Sequence, residues 1–179
     1  SLRFDSNTVA NTLITSPYTY SRCMYANSSS TNTATYNYNT VENVTYDVNV
    51  IGSANITAMY FLSAGSSLKE IRHNIVNHVE QINPTTAGAI HLTGMYIGGS
   101  SNNNTVENNS VHGLQNICFS TATLPSITGM EILNFGRLTN NIISLNNSYL
   151  NDIEIFGIKN NSYQQLKVKH NTVLVDGTS

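Results

Sequence analysis

Apolar and polar positions alternate along this chain with a period of two, and no stripe with the 3.6-residue helical period occurs. Within that alternation one phrase returns: apolar, any, polar, Asn, any, apolar. It reads FDSNTV at 4–9, IRHNIV at 71–76, VENNSV at 106–111, LTNNII at 138–143 and VKHNTV at 168–173. A degenerate copy, VENVTY at 41–46, has Val44 in place of the Asn, and NTVEN occurs at both 39–43 and 104–108. The copies begin 37, 30, 35, 32 and 30 residues apart, a period that signals a repeat architecture. Most are followed by a short strand-like run: CMY at 23–25, AMYFL at 58–62, AIHL at 89–92, ICF at 117–119 and IEI at 153–155. Each unit therefore predicts strand, Asn-bearing bend, strand, loop, strand. Near the C-terminus EIFGIKNNSY (154–163) offers a competing, shorter frame, but VKHNTV matches the phrase better.

The first and sixth positions of the phrase predict an inward face: Phe4, Ile71, Val106, Leu138 and Val168, with Val9, Val76, Val111, Ile143 and Val173. Every one is apolar, and each is worth roughly 1.5–3 kcal/mol if buried. A single unit cannot bury its own inner face, so stability must come from stacking units on one another.

Composition supports extended chain over helix. With 27 Asn, 20 Ser and 20 Thr, much of the sequence consists of side chains that compete for nearby backbone groups. Apolar residues still reach 40%, enough for a packed core, and 179 residues suit a single domain, 1–179. Charged residues make up only 10% and the net charge is −2, which gives no electrostatic basis for binding nucleic acid. No run of 18 apolar residues is present, so no membrane span is expected.

The alternation of I-x-N-N-x-I with G-I-x-I resembles the right-handed parallel β-helix of the pectate-lyase-like superfamily, and the resemblance covers nearly the whole chain. It implies an all-β solenoid of about six coils, each of three short strands stacked about 4.8 Å from the next. Asn tolerates left-handed backbone, and an amide at the same bend of successive coils can both donate and accept. Asn7, Asn74, Asn109, Asn141 and Asn171 are thus expected to form a ladder, interrupted at Val44. Cys23 and Cys118, three coils apart on related strands, would lie roughly 14 Å apart and remain free thiols.

Several side chains are candidates for chemistry. The second position of the phrase forms an outward column of Asp5, Glu42, Arg72, Glu107, Thr139 and Lys169, whose alternating signs suit an exposed charge ladder. Polysaccharide lyases of the resembled fold use a Lys or Arg base on an outward β-face, often with calcium. The resemblance would give Arg72, Glu107 and Lys169 such parts, yet no cluster of three acids offers calcium its oxygens. Glu131 and Glu154, both in φ-Glu-Ile runs 23 residues apart, could stand on adjacent coils as a glycosidase pair or as plain surface residues. His73 and His170 sit at the bend and suit hydrogen bonding there better than metal binding. No metal or cofactor is expected. In SPYTYSR and TYNYNT, Tyr18 with Tyr20 and Tyr36 with Tyr38 share a face of extended chain, which suits binding sugar or protein, or folding of this loop over the stack. The seven N-x-Ser/Thr sequons match what composition gives by chance.

No helix caps either terminal coil, so the stack is expected to be continued by further chain, by other subunits end to end, or to be capped by residues 10–40. Two functions follow. One is a non-catalytic extracellular or cell-surface module forming a rod, fibre or adhesion element and binding polysaccharide. The other is a polysaccharide lyase or glycoside hydrolase, including a phage tail-spike depolymerase, on the same fold. Low charge and the lack of an acid cluster favour the first.

Overall fold

A computed structural model describes residues 2–15, 19–28, 33–47, 52–63, 68–83, 88–99, 104–120, 123–133, 136–147, 152–162 and 165–177. They form a parallel β-solenoid without helix. The chain runs through β1 (Leu2–Asp5), β2 (Thr8–Thr15) and β3 (Tyr20–Ser28), then β4 (Ala34–Asn37), β5 (Thr40–Asp47) and β6 (Ala54–Ser63). It continues through β7 (Lys69–Arg72), β8 (Ile75–Asn83) and β9 (Ile90–Gly99), then β10 (Asn104–Glu107), β11 (Ser110–Cys118) and β12 (Ser126–Ile132). The last strands are β13 (Gly136–Thr139), β14 (Ile142–Asn147), β15 (Glu154–Asn160), β16 (Leu166–Lys169) and β17 (Thr172–Gly177). Every third strand stacks in parallel. The first sheet is β1-β4-β7-β10-β13-β16, the second β2-β5-β8-β11-β14-β17 and the third β3-β6-β9-β12-β15. Among the described residues no helix is long and apolar enough to cross a membrane.

The bend between the first and second sheets is built as the repeated phrase requires, with two corrections. The second coil uses YNYNTV at 36–41, not VENVTY: Phe4, Tyr36, Ile71, Val106, Leu138 and Val168 are in register. Asn39 therefore fills the gap assigned to Val44, and the ladder is unbroken. The left-handed residue is not the ladder Asn but the one before it. Ser6, Tyr38, His73, Asn108, Asn140 and His170 all have φ between 52° and 59°. This fits a bend where a short backbone reversal precedes an inward-turned amide.

From Asn39 to Asn171 each ladder amide is fully used. Asn39 Nδ2 donates to Asn74 Oδ1 at 2.9 Å and to the Phe4 carbonyl at 3.0 Å. Asn74 Nδ2 donates to Asn109 Oδ1 and to the Tyr36 carbonyl, both at 2.8 Å. Asn109 and Asn141 repeat the pattern toward Asn141 and Asn171, and Asn7 opens it toward Asn39. Each acceptor Oδ1 also takes the backbone N–H of the preceding ladder Asn, at 2.9–3.1 Å. Burial would make these polar groups costly, and saturation removes the cost.

Inward positions of the phrase are buried through the middle of the stack, including Ile71, Val76, Val106, Val111, Leu138 and Ile143. Val168 and Val173, on the outermost strands, are 51% and 45% exposed. The third strand of each unit was only partly anticipated. ICF (117–119) ends β11 in the second sheet, whereas the third-sheet strand of that coil is β12. The KNNSY frame does not apply either, because Lys159 and Asn160 end β15 and VKHNTV makes the bend. Cys23 and Cys118 are both free, but they lie in different sheets.

The third sheet approaches the second closely. Cys23, Ala58, Gly94, Gly129 and Gly157 form one column, and side-chain volume shrinks along it. A Cβ on Gly129 would stand 2.5 Å from Ile143 Cγ2 and 2.7 Å from the Gly157 carbonyl oxygen, so only glycine fits.

Candidate functional site: a trough on the third sheet

The outer face of the third sheet carries three columns of side chains. One is Tyr25, Tyr60, Tyr96, Glu131 and Lys159. Beside it run Arg22, Thr57, Thr93, Thr128 and Phe156, then Tyr20, Asn55, His91, Ser126 and Glu154. The middle column is short where the threonines stand and long at both ends. It forms the floor of an open trough of about 280 Å³, walled by Tyr60 and Tyr96 on one side and by Tyr20 and Asn55 on the other.

The tyrosines are stacked by the coil repeat. Tyr60 and Tyr96 lie nearly parallel with centroids 4.3 Å apart, and Tyr25 follows at 5.5 Å with a tilt of 38°. The Arg22 guanidinium lies 4.0 Å from the Tyr60 ring centroid and 5.2 Å from that of Tyr25. Much of the ring surface is therefore occupied by neighbouring rings and by Arg22. Burial, with a hydrogen bond to Tyr60, pushes the Tyr96 phenol far above its ordinary pKa, so it stays protonated.

Further along the column that Tyr20 and Asn55 begin, His91 Nδ1 lies 2.9 Å from Ser126 Oγ. Burial, reinforced by Lys159, holds the imidazole below its ordinary pKa against the opposing pull of Glu154 and Glu131. Glu131 Oε1 accepts a hydrogen bond from Asn161 Nδ2 at 2.7 Å.

The sequence candidates are distributed differently. Tyr20, 68% exposed, lines the trough. Tyr36 does not: it is 1% exposed, fills the first-sheet core position and packs on Phe61 at 5.2 Å. Tyr38 takes the left-handed bend and stacks on His73 at 4.9 Å, so the two tyrosines share no face. Tyr18 lies outside the described residues. His73 and His170 hold the left-handed bend position itself.

Glu131 and Glu154 are on adjacent strands, but Glu154 pairs with Ser126 and Glu131 with Lys159. Five residues of offset separate them by roughly 16 Å along the strand direction, well beyond retaining or inverting spacing. The first-sheet outward column runs Asp5, Asn37, Arg72, Glu107, Thr139, Lys169, so Glu42 is not part of it. There Arg72 Nε lies 3.1 Å from Glu107 Oε1, with Arg72 also near Glu70 and Arg137 near Glu107. Lys169 stands two strands from Glu107, about 10 Å away. Arg72 and Glu107 thus belong to a charge network that Lys169 does not join. Among the described residues no group of three or more His, Cys, Asp or Glu could hold a metal.

Sequence reading missed Tyr25, Tyr60 and Tyr96. Their signal was a small residue followed by Met-Tyr: CMY at 23–25, AMY at 58–60 and GMY at 94–96, continued by GME at 129–131 and GIK at 157–159. Comparison with family models, with curated proteins and with solved structures found no match.

Proposed function

We propose that this chain is a non-catalytic, extracellular or cell-surface module, a rod of the right-handed pectate-lyase-like type that binds polysaccharide along its third sheet. The observation that carries this reading is the trough: the Thr57 and Thr93 hydroxyls on a floor between the stacked Tyr60 and Tyr96 and a wall of Tyr20 and Asn55. Such a surface offers closely spaced donors and acceptors at a period of about 4.8 Å, which suits a polyhydroxylated chain. The separation of Glu131 from Glu154, and of Lys169 from Glu107, supports binding over cleavage. Low charge and a rigid stack also suit a rod or fibre, with end-to-end association of copies as a further feature of the proposal.

Affinity electrophoresis through gels containing soluble polysaccharides tests the reading. At least one polymer should retard the protein, and Thr57→Val with Thr93→Val should abolish the retardation. Screening the same polymers with and without calcium should release no product. Product release lost in Glu131→Ala or Lys169→Ala would make the chain an enzyme instead.

A further inference from the structure

Among the described residues lining the trough, Arg22 and Glu131 are the only side chains that carry charge at neutral pH, and they stand three strands apart. Neither is free of the protein. Arg22 rests on the faces of Tyr60 and Tyr25, and Glu131 accepts the Asn161 amide. Between them lie Asn55, Thr57 and Thr93, all neutral, beside a His91 that burial keeps toward its neutral form. A polymer bearing a carboxylate on every residue would set one charge against Glu131. Arg22, the one cation among the described residues lining the trough, is placed over the Tyr60 and Tyr25 rings at its far end. Lys159 stands one strand beyond Glu131, so carboxylates over Thr57 and Thr93 would lack a paired cation. Like charges at that separation repel, and a carboxylate leaving water needs a paired cation or several donors. An uncharged chain meets hydroxyls, an amide and a phenol, each able to donate and accept.

The stacking of the tyrosines sharpens the chemistry. With Tyr60 held between Tyr25, Tyr96 and Arg22, its ring is not open for a sugar to lie on, so contact runs through hydroxyl edges. We infer that the trough takes an uncharged, hydroxyl-rich glycan held by hydrogen bonds to Thr57 and Thr93 on its floor and to Asn55 beside them, and not a uronate polymer. This rests on the polysaccharide reading above.

The test compares galactomannan, xyloglucan and arabinan with polygalacturonate and alginate in affinity gels, using the intact chain at low and high salt. At least one neutral polymer should retard the protein equally at both salt levels, since no exposed ion pair is involved. Thr93→Val, checked for an unchanged melting temperature, should weaken that binding about tenfold, the worth of one hydrogen bond. Stronger retardation by polygalacturonate or alginate, lost in high salt and in Arg22→Gln, would overturn the inference while leaving carbohydrate binding intact. Retardation by no polymer of either class would remove the carbohydrate reading itself, and this inference with it.

Discussion

The Asn ladder and the third-sheet trough are both columns of polar side chains repeated once per coil, yet they differ in what is left unmade. In the ladder, Asn39, Asn74, Asn109 and Asn141 each donate to the next amide and to a carbonyl of the preceding coil, so no capacity remains. In the trough, Thr57 and Thr93, each 8% exposed, form the floor between Tyr60 and Tyr96 on one side and Tyr20 and Asn55 on the other. One solenoid thus makes two kinds of column from the same geometry. A saturated, buried column holds the coils in register, and an open one offers its groups to something else. Repetition alone does not mark a binding site; what distinguishes the proposed one is that Thr57 and Thr93 reach the floor of an open trough.

The sharpest way to break this contrast is to cut the ladder. Asn109→Ala removes the Oδ1 that accepts both the Asn74 backbone N–H and its Nδ2. Leaving buried donors unpaired should cost about 3 kcal/mol, read as a lower urea midpoint with the slope unchanged. A smaller loss is expected from Gly129→Ala, whose Cβ would press on Ile143 and the Gly157 carbonyl. Overpacking there should cost about 2 kcal/mol, again by urea titration. Neither variant should alter glycan binding under conditions where it is folded.

Trough substitutions should behave in the opposite way. Tyr60→Phe removes a phenol that is hydrogen-bonded to Tyr96 and should change stability by less than about 1 kcal/mol. Its retardation in a neutral-polymer gel should nonetheless fall, by severalfold. Equal effects of Tyr60→Phe and Asn109→Ala on stability would erase the distinction between the two columns.

The smallest expected effect is on pH. Burial first, and Lys159 second, depress the pKa of His91 in the folded protein; burial and then His78 depress that of His112. The unfolded chain therefore binds protons that the folded one does not, and stability must fall as pH drops below the unfolded histidine value of about 6.5. Both rings are partly exposed, so the decline should be shallow. Melting temperatures across this range should flatten in His91→Gln.

The architecture was legible because stacking writes the same apolar and Asn positions into every coil. Five of the six ladder asparagines could be read directly. The sixth, Asn39, was hidden because NTVEN at 39–43 drew the frame onto Val41, when the NTV shared with 7–9 and 171–173 places the Asn itself at the bend. Tyr36 was misread for a related reason. Tyrosine in a polar stretch reads as surface, but here it occupies the position held by Ile71 and Val106 in later coils. The trough was the least legible part. Its lining residues come from four separate strands, β3, β6, β9 and β12, and which of them share a column depends on register after loops of unequal length. The Met-Tyr repeat gives that register, since Met24, Met59, Met95 and Met130 align inside while the next residue points out.

Ladder asparagines stand 32, 35, 35, 32 and 30 residues apart, yet their amide contacts stay between 2.8 and 2.9 Å. The bend therefore counts rungs rather than residues, and loops absorb the difference. Residues 71–105 form one interchangeable cassette: excising them would set Glu70 before Val106 and let Asn39 meet Asn109 as it now meets Asn74. The molecule's length is in this sense an editable quantity, changed a whole rung at a time without rewriting the remaining sequence.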